Sequence, residues 1–231
     1  MENVSRIPLI GDKAPEFNAV TTNGSINFPQ DYGGKWVILF SHPADFTPVC
    51  TTEIATFAAM HDEFKALNCE LVGLSVDSNS SHLAWIKEIE DKISFHRYQG
   101  QKIEFPIIAD FKGEIAAMYG MLCPEKNEAH ACRSVFFIDP VGIVRAIIYY
   151  PQTTGRNFAE IKRVLQALQT TDKYGVATPA DWNVGDDVLI SAPKTKRELN
   201  ERIEYGKTSG AVCNDWFFCT QKAENMSVKN K

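Results

Sequence analysis

Trp36-Val37-Ile38-Leu39-Phe40 runs into Ser41-His42-Pro43-Ala44-Asp45-Phe46-Thr47-Pro48-Val49-Cys50-Thr51-Thr52-Glu53. The first five residues are apolar without alternation, as expected for a central strand buried on both faces. A proline-bounded loop follows. Ile54, Phe57, Ala58, His61, Phe64 and Leu67 then recur at helical spacing, so Thr51 to Leu67 reads as an amphipathic helix. A strand, a tight loop and a helix beginning at or beside Cys50 place a thiol against the unpaired N–H groups and the positive dipole end of the helix. That position favours the thiolate.

The same alternation continues outward. Ala14 to Phe28 reads as a hairpin turning at Asn23-Gly24. Glu70 to Val76 is a second buried strand, and Asp77-Ser78-Asn79-Ser80-Ser81 can cap a helix containing His82 to Glu90. Phe105 to Asp110 is a short strand leading to a helix over Gly113 to Tyr119. Ser134 to Asp139 and Gly142 to Tyr149 are strands joined by Asp139-Pro140-Val141-Gly142. Phe158, Ile161, Val164, Leu165 and Leu168 mark a last core helix. The pattern predicts an α/β sandwich whose late hairpin makes the sheet mixed. Thr170 to Lys173 reads as a linker, dividing a domain over 1–170 from an extension over 171–231. The extension holds a possible helix near Thr195 to Tyr205 and the segment Cys213-Asn214-Asp215-Trp216-Phe217-Phe218-Cys219.

The totals exclude several classes. The chain has 231 residues, 44% hydrophobic and 23% charged, which suffices for a core. Net charge is −5 without a long basic run, so nucleic acid is not an expected partner. The apolar runs are strand-sized, so no membrane partner is expected. Met1 to Arg6 lacks an apolar signal core, and the chain reads as cytoplasmic. In that compartment its six cysteines read as thiols rather than structural disulfides.

A free thiol ionises near ~8.5, and helix ends and cations bring it to roughly 3.5–7.5, so full ionisation adds only about thirtyfold in reactive species at neutral pH. The remainder of a good catalyst must come from orienting an oxidant and stabilising its departing oxygen. Thr47, three residues before Cys50, offers a hydroxyl; Arg133 and Arg156 are candidate cations. Each arginine also fits an ordinary strand-edge or helix-cap role. Pro43 and Pro48 shape the loop. His42 is either a general base or a hydrogen-bonded structural residue. Glu53 fits a first-turn carboxylate, in a capping-box pattern with Cys50 at the cap. Cys69 reads as core filler. Cys123, His130 and Cys132 match no common metal spacing, and Cys213 with Cys219 lacks a second pair of ligands.

Pro43-Ala44-Asp45-Phe46-Thr47-Pro48-Val49-Cys50 resembles the peroxiredoxin active-site motif, and Tyr149-Tyr150-Pro151 with Thr154-Gly155-Arg156-Asn157-Phe158 resembles the 1-Cys branch. The resemblance runs from about Ile7 to the C-terminus. It implies a thioredoxin-like fold with a C-terminal extension, and reduction of hydrogen peroxide and organic hydroperoxides. Cys50 would become a sulfenic acid. Thr47 and Arg133 would hold the peroxide, Pro43 would shield the sulfur, and Arg156 and His42 would line the pocket. No metal, haem or other cofactor is implied. Cys213 and Cys219 resemble the archaeal long-tailed members, which implies that Cys219 resolves Cys50 of a neighbouring subunit and that Cys213 then exchanges with Cys219. The idle alternative is a tail whose aromatics only cover core surface. Implied partners are a peroxide, an external thiol reductant (thioredoxin-like or small) and a second copy, as a homodimer or a ring of dimers. A redox-regulated chaperone or peroxide sensor using the same cysteine is the competing class. A Cys-x-x-Cys oxidoreductase is disfavoured because Glu53 stands where its second cysteine belongs. Tyr32-Gly33-Gly34-Lys35-Trp36 lacks the serine of a lipase-type motif, so phospholipase activity is not expected.

Overall fold

The structure, a computed structural model, describes residues 6–122 and 130–228. Contacts divide the chain into two compact units, residues 1–158 and 159–231.

The first unit is built on a seven-stranded mixed sheet. β1 (Phe17–Thr21) and β2 (Gly24–Phe28) form the early hairpin, with Thr22 and Asn23 at the turn, one residue earlier than expected, and Gly24 already in β2. β3 (Trp36–Ser41) leads into α1 (Pro48–Ala66), followed by β4 (Cys69–Ser75), α2 (Asn79–Lys92), β5 (Ile107–Ala109), the short α3 (Glu114–Met118), β6 (Arg133–Ile138) and β7 (Val144–Tyr150). The strand order is β2-β1-β5-β4-β3-β6-β7. β3, β4 and β5 run parallel, and the other pairings are antiparallel. This is the thioredoxin-like arrangement, and the uniformly apolar β3 lies inside it with all six residues buried.

Alternation within β3 divides two cores. Val37 and Leu39 join Val72, Leu74, Phe136 and Ile138 on one face. Phe40 points to the other, where it stacks on Phe57 of α1 at 4.2 Å between ring centroids. Phe105 and Phe158 meet the Phe57 ring edge-on at 6.2 and 4.6 Å. Gly73 of β4 lets these rings pack closely: a Cβ on it would lie 3.1 Å from Phe40 and 3.3 Å from Ile107. The aromatic layer fixes α1 against the sheet, and hence the place where Cys50 emerges.

The second unit contains α4 (Phe158–Tyr174, its first residue belonging to unit one), β8 (Asp187–Leu189), α5 (Lys196–Thr208), β9 (Val212–Asp215) and β10 (Phe218–Lys222). Thr170 to Lys173, expected as a linker, lie inside α4. Four consecutive polar residues look like a linker by composition, but they form the last turn of this helix. Val176, Trp182 and Val188 form a small core, and the sheet order is β8-β10-β9. Thr195 and Glu198 close a capping box at the start of α5. Cys213 and Cys219 face each other across the β9–β10 hairpin and are disulfide-bonded. The reading of all six cysteines as thiols is therefore corrected for this pair: the hairpin juxtaposes them whatever the compartment. No helix among the described residues is long and apolar enough to cross a membrane.

Candidate active site

Proline sets the start of α1. Thr47 is the N-cap, with extended backbone, and Pro48 occupies the first helical position, where a missing N–H costs nothing. Thr51 N–H donates the first intrahelical bond, to Thr47 O at 2.9 Å. The N–H groups of Val49 and Cys50 precede that bond and point out of the helix end. Cys50 is thus the third residue of the helix, not its cap. Glu53 lies one turn further in, not in the first turn, and takes no part in capping.

That register places Glu53 three residues after Cys50 on one helical face. Both side chains are buried, with Cys50 0% and Glu53 2% exposed. Arg133, the first residue of β6, donates Nη1–H to Cys50 Sγ at 3.3 Å and to Glu53 Oε2 at 2.7 Å. Its Nε donates to Gln152 O at 2.9 Å, so the guanidinium is oriented from two sides. Arg156 approaches Glu53 from behind. Its backbone N–H donates to Glu53 Oε1 at 2.9 Å and its Nη1 to Oε2 at 3.1 Å. Its Nη2 donates to the carbonyls of Ser41 and Ser134. Burial pushes the Arg156 guanidinium below its ordinary value and the Glu53 charge opposes that; it remains a cation. Arg156 therefore touches the carboxylate, not the sulfur. One buried carboxylate holds two arginines, and one of them reaches the thiol.

Thr47 is half-buried and donates its hydroxyl proton to Ala44 O at 2.9 Å. Its oxygen lone pairs stay open to accept from an incoming O–H. Pro43 is buried in the loop, whereas Phe46 is 57% exposed at φ +54°. A bulky residue there costs about 1–2 kcal/mol, so the surrounding contacts must enforce the loop conformation.

Those contacts were not read from the sequence. His42 and His82 are both buried, and Asp45 stands between them. His42 Nε2 lies 3.0 Å from Asp45 Oδ1, and His82 Nδ1 lies 2.8 Å from Asp45 Oδ2. Asp45 N–H donates to Asp77 Oδ2 at 3.0 Å, and Trp85 packs 5.1 Å from the His42 ring. Burial works against ionisation of Asp45, but its bonds to His42 and His82 outweigh it and hold the carboxyl below the usual carboxylate range. His42 is thus a bonded loop anchor. Phe46, Pro48, Thr51, Trp85, Ile89 and Phe95 line an apolar groove of about 500 Å³ beside the loop.

Cys69 is buried at the start of β4, and burial drives its thiol far above the reactive range. Cys132 precedes Arg133 and is half-buried; Cys123 lies outside the described residues. Cys213 is exposed and Cys219 buried.

Residues 10–147 match the AhpC/TSA family, and residues 167–206 match the C-terminal domain of 1-Cys peroxiredoxin. A peroxiredoxin of Methanosarcina mazei is 54% identical over 217 residues, covering 94% of this chain and 98% of the relative. The chain belongs to the peroxiredoxin family. A peroxiredoxin of Archaeoglobus fulgidus is 48% identical across 93% of this chain and 99% of its own. Among solved structures, a yeast mitochondrial 1-Cys peroxiredoxin, whose thiol-resolving mechanism via glutathione and thioredoxin systems was the subject of that work, superposes with a TM-score of 0.79 at 40% identity, covering 94% of this chain and all of that one. A cysteine-to-serine variant of peroxiredoxin 6 of Arenicola marina gives the same TM-score at 32% identity, covering 93% of this chain and 98% of that one. This peroxiredoxin is a thiol-dependent peroxidase of the 1-Cys type, carrying extra C-terminal cysteines.

Proposed function

We propose that this peroxiredoxin reduces hydrogen peroxide and organic hydroperoxides through Cys50 and resolves the product with its C-terminal cysteine pair. The observation that carries the reading is the Arg133 Nη1 contact to Cys50 Sγ at 3.3 Å, with the same nitrogen anchored on Glu53. A cation held there by a buried carboxylate is oriented before substrate arrives, which is the condition for stabilising charge without reorganisation. The Cys50 thiolate attacks the nearer peroxide oxygen. The O–O bond breaks, Cys50 becomes a sulfenic acid, and the other oxygen leaves as water or alcohol after taking a proton. Thr47 accepts from the peroxide O–H, and Arg133 with the outward N–H groups of the helix end faces the developing negative charge. Pro43 shields the sulfur. Arg156 and Glu53 act as positioning residues. With Cys50 fully buried, a slim oxidant led by its terminal oxygen fits better than a bulky one.

Resolution follows from the tail. Cys219 of a partner subunit condenses with the sulfenic acid and releases water. Cys213 then attacks the mixed disulfide at Cys219, freeing the Cys50 thiolate and leaving the Cys213–Cys219 bond. That bond is supported as an end product by the cross-strand register that brings the two residues together. Cys213 is exposed, so an external thiol can reduce the pair and close the cycle. The reading places the protein in cytoplasmic antioxidant defence as a homodimer or a ring of dimers.

The test is a pair of variants. Cys50→Ser abolishes peroxide consumption in stopped-flow assays. On non-reducing gels, Cys213→Ser accumulates an oxidised covalent dimer, because the mixed disulfide cannot be exchanged away, and Cys219→Ser forms none. A dimer that persists in Cys219→Ser and vanishes in Cys213→Ser reverses the two roles. Slow peroxide turnover with every thiol reductant, beside strong suppression of aggregation, would favour the chaperone or sensor reading.

A further inference from the structure

Peroxide reduction depends on where the Thr47 hydroxyl points, and one peptide group aims it. Thr47 Oγ1 donates its proton to the Ala44 carbonyl at 2.9 Å, and the Asp45 N–H donates to Asp77 Oδ2 at 3.0 Å. That carbonyl and that N–H belong to the same peptide unit. It is trans, so its two groups point in opposite directions from one rigid plane. A turn of the N–H away from Asp77 therefore swings the carbonyl away from Thr47 by the same angle. Neither proton is ambiguous, because a carbonyl oxygen only accepts and a backbone N–H only donates.

Asp77 is itself braced. Ser75 Oγ donates to the same Oδ2 at 2.6 Å, and the Asp77 N–H donates back to Ser75 Oγ at 3.2 Å. Ser75 is fully buried as the last residue of β4. Capping of α2 falls to Ser78, whose hydroxyl accepts from the Ser81 N–H. β3 and β4 are parallel neighbours, and the His42 N–H donates to Leu74 O where both strands end. The loops after the two strands therefore lie side by side, which brings Asp77 to Asp45 across 32 residues of chain. The Asp45 carboxylate is held separately by His42 and His82. Those bonds fix the side chain but leave the peptide plane before it free to turn. Phe46, between Asp45 and Thr47, sits at φ +54°, so the turn has a more relaxed form to fall back to once that plane is released.

We propose that Asp77 is a positioning residue for peroxide reduction: it aims the Thr47 hydroxyl through the Ala44–Asp45 peptide, with Ser75 as its brace. The proposal rests on the reading of Thr47 as the acceptor of the peroxide O–H. With its own proton committed to Ala44 O, Thr47 turns its lone pairs to the oxidant. Without Asp77 the hydroxyl rotates and presents its proton instead, and the peroxide O–H loses its acceptor. A misplacement of ~1 Å caused by a change remote from the chemistry costs about a hundredfold. Asp77→Ala leaves Thr47 at the helix cap and should slow Cys50 oxidation by less than that, about ten- to thirtyfold.

A double-mutant cycle with Thr47→Val tests the relay, read as the second-order rate constant of hydrogen peroxide with the reduced full-length chain in stopped flow. Thr47→Val alone costs at least as much as Asp77→Ala. Adding Asp77→Ala to it costs less than about twofold more, because the group being aimed is gone. Asp77→Asn keeps an acceptor for the Asp45 N–H and stays within about threefold of wild type. A loss that repeats in full on the Thr47→Val background means that Asp77 only stabilises the fold, and overturns the proposal. So does an Asp77→Ala rate within about threefold of wild type while Thr47→Val is slow, a result that leaves the role of Thr47 standing. A normal rate for Thr47→Val removes the acceptor reading and the relay with it. If Asp77→Ala does not fold, Ser75→Ala takes its place in the cycle, with an expected loss of about three- to tenfold that the Thr47→Val background abolishes.

Discussion

Replacing Glu53 by glutamine removes one charge and little volume from the centre of the site. Glu53 accepts three hydrogen bonds, from Arg133 Nη1 at 2.7 Å, Arg156 Nη1 at 3.1 Å and Arg156 N at 2.9 Å. Two of the donors are guanidinium groups, and all three residues are buried. Without the carboxylate, two cations face one another in the interior with no fixed anion between them. Removing one partner of a buried ion pair costs about 3–5 kcal/mol. Glutamine retains one acceptor oxygen, so the lower end, about 3 kcal/mol, is expected. For a chain of this size that lowers Tm by roughly 6–12 °C. The rate consequence is separate. Arg133 loses the anchor that aims Nη1 at the sulfur but keeps its bond to Gln152 O. Deleting an oriented donor outright costs about 10²–10³ in rate, so a mis-aimed one should cost about 10² in kcat/KM for hydrogen peroxide. Stopped-flow oxidation of reduced protein gives the rate, and calorimetry gives Tm. A variant with kcat/KM within threefold of wild type would refute the claim that Glu53 aims the cation. An unchanged Tm would refute the ion-pair account itself.

Arg133→Met keeps bulk but removes the donor at 3.3 Å from Cys50, and kcat/KM should fall by about 10²–10³ in the same assay. Gly73→Ala forces a Cβ against Phe40 and Ile107 at 3.1 and 3.3 Å and should cost about 1–3 kcal/mol by denaturant unfolding; no loss would show that the aromatic layer yields freely. Stability should fall on acidification in two stages. His42 is held below its ordinary value, so beneath about pH 6.5 the unfolded chain binds a proton that the folded one refuses. Asp45 is held below the carboxylate range, so its contribution, complete above about pH 4, is lost as pH falls further. Asp45→Asn should flatten the second stage when Tm is followed from pH 7.5 to about 2, and an unaltered profile would sink the assignment.

The sequence by itself determined the order of elements in the first unit and the reactive position, but not the three-stranded sheet of the second. Apolar runs of strand length, helical spacing after Thr51 and proline at the helix start are local signals, and local geometry suffices to put Cys50 at a helix N-terminus. It missed that Thr47, not Cys50, is the cap, because proline at the first helical position shifts the start by three residues. Glu53 looked like a dipole partner for the same reason, although its spacing of three from Cys50 already marked a shared face. The linker expected at Thr170 to Lys173 was the polar last turn of a helix, which composition cannot separate from a loop. Only the tertiary structure decided which groups meet. Arg133 lies 83 residues from Cys50 and Arg156 lies 103 from Glu53 in the chain, and β6 beside β3 is what closes those distances. His82 reaches Asp45 because α2 packs over the loop, and Cys213 meets Cys219 because a hairpin pairs them. Charge pairing in a buried site acts over a few ångströms, and nothing in one-dimensional spacing fixes a distance of that kind between remote segments.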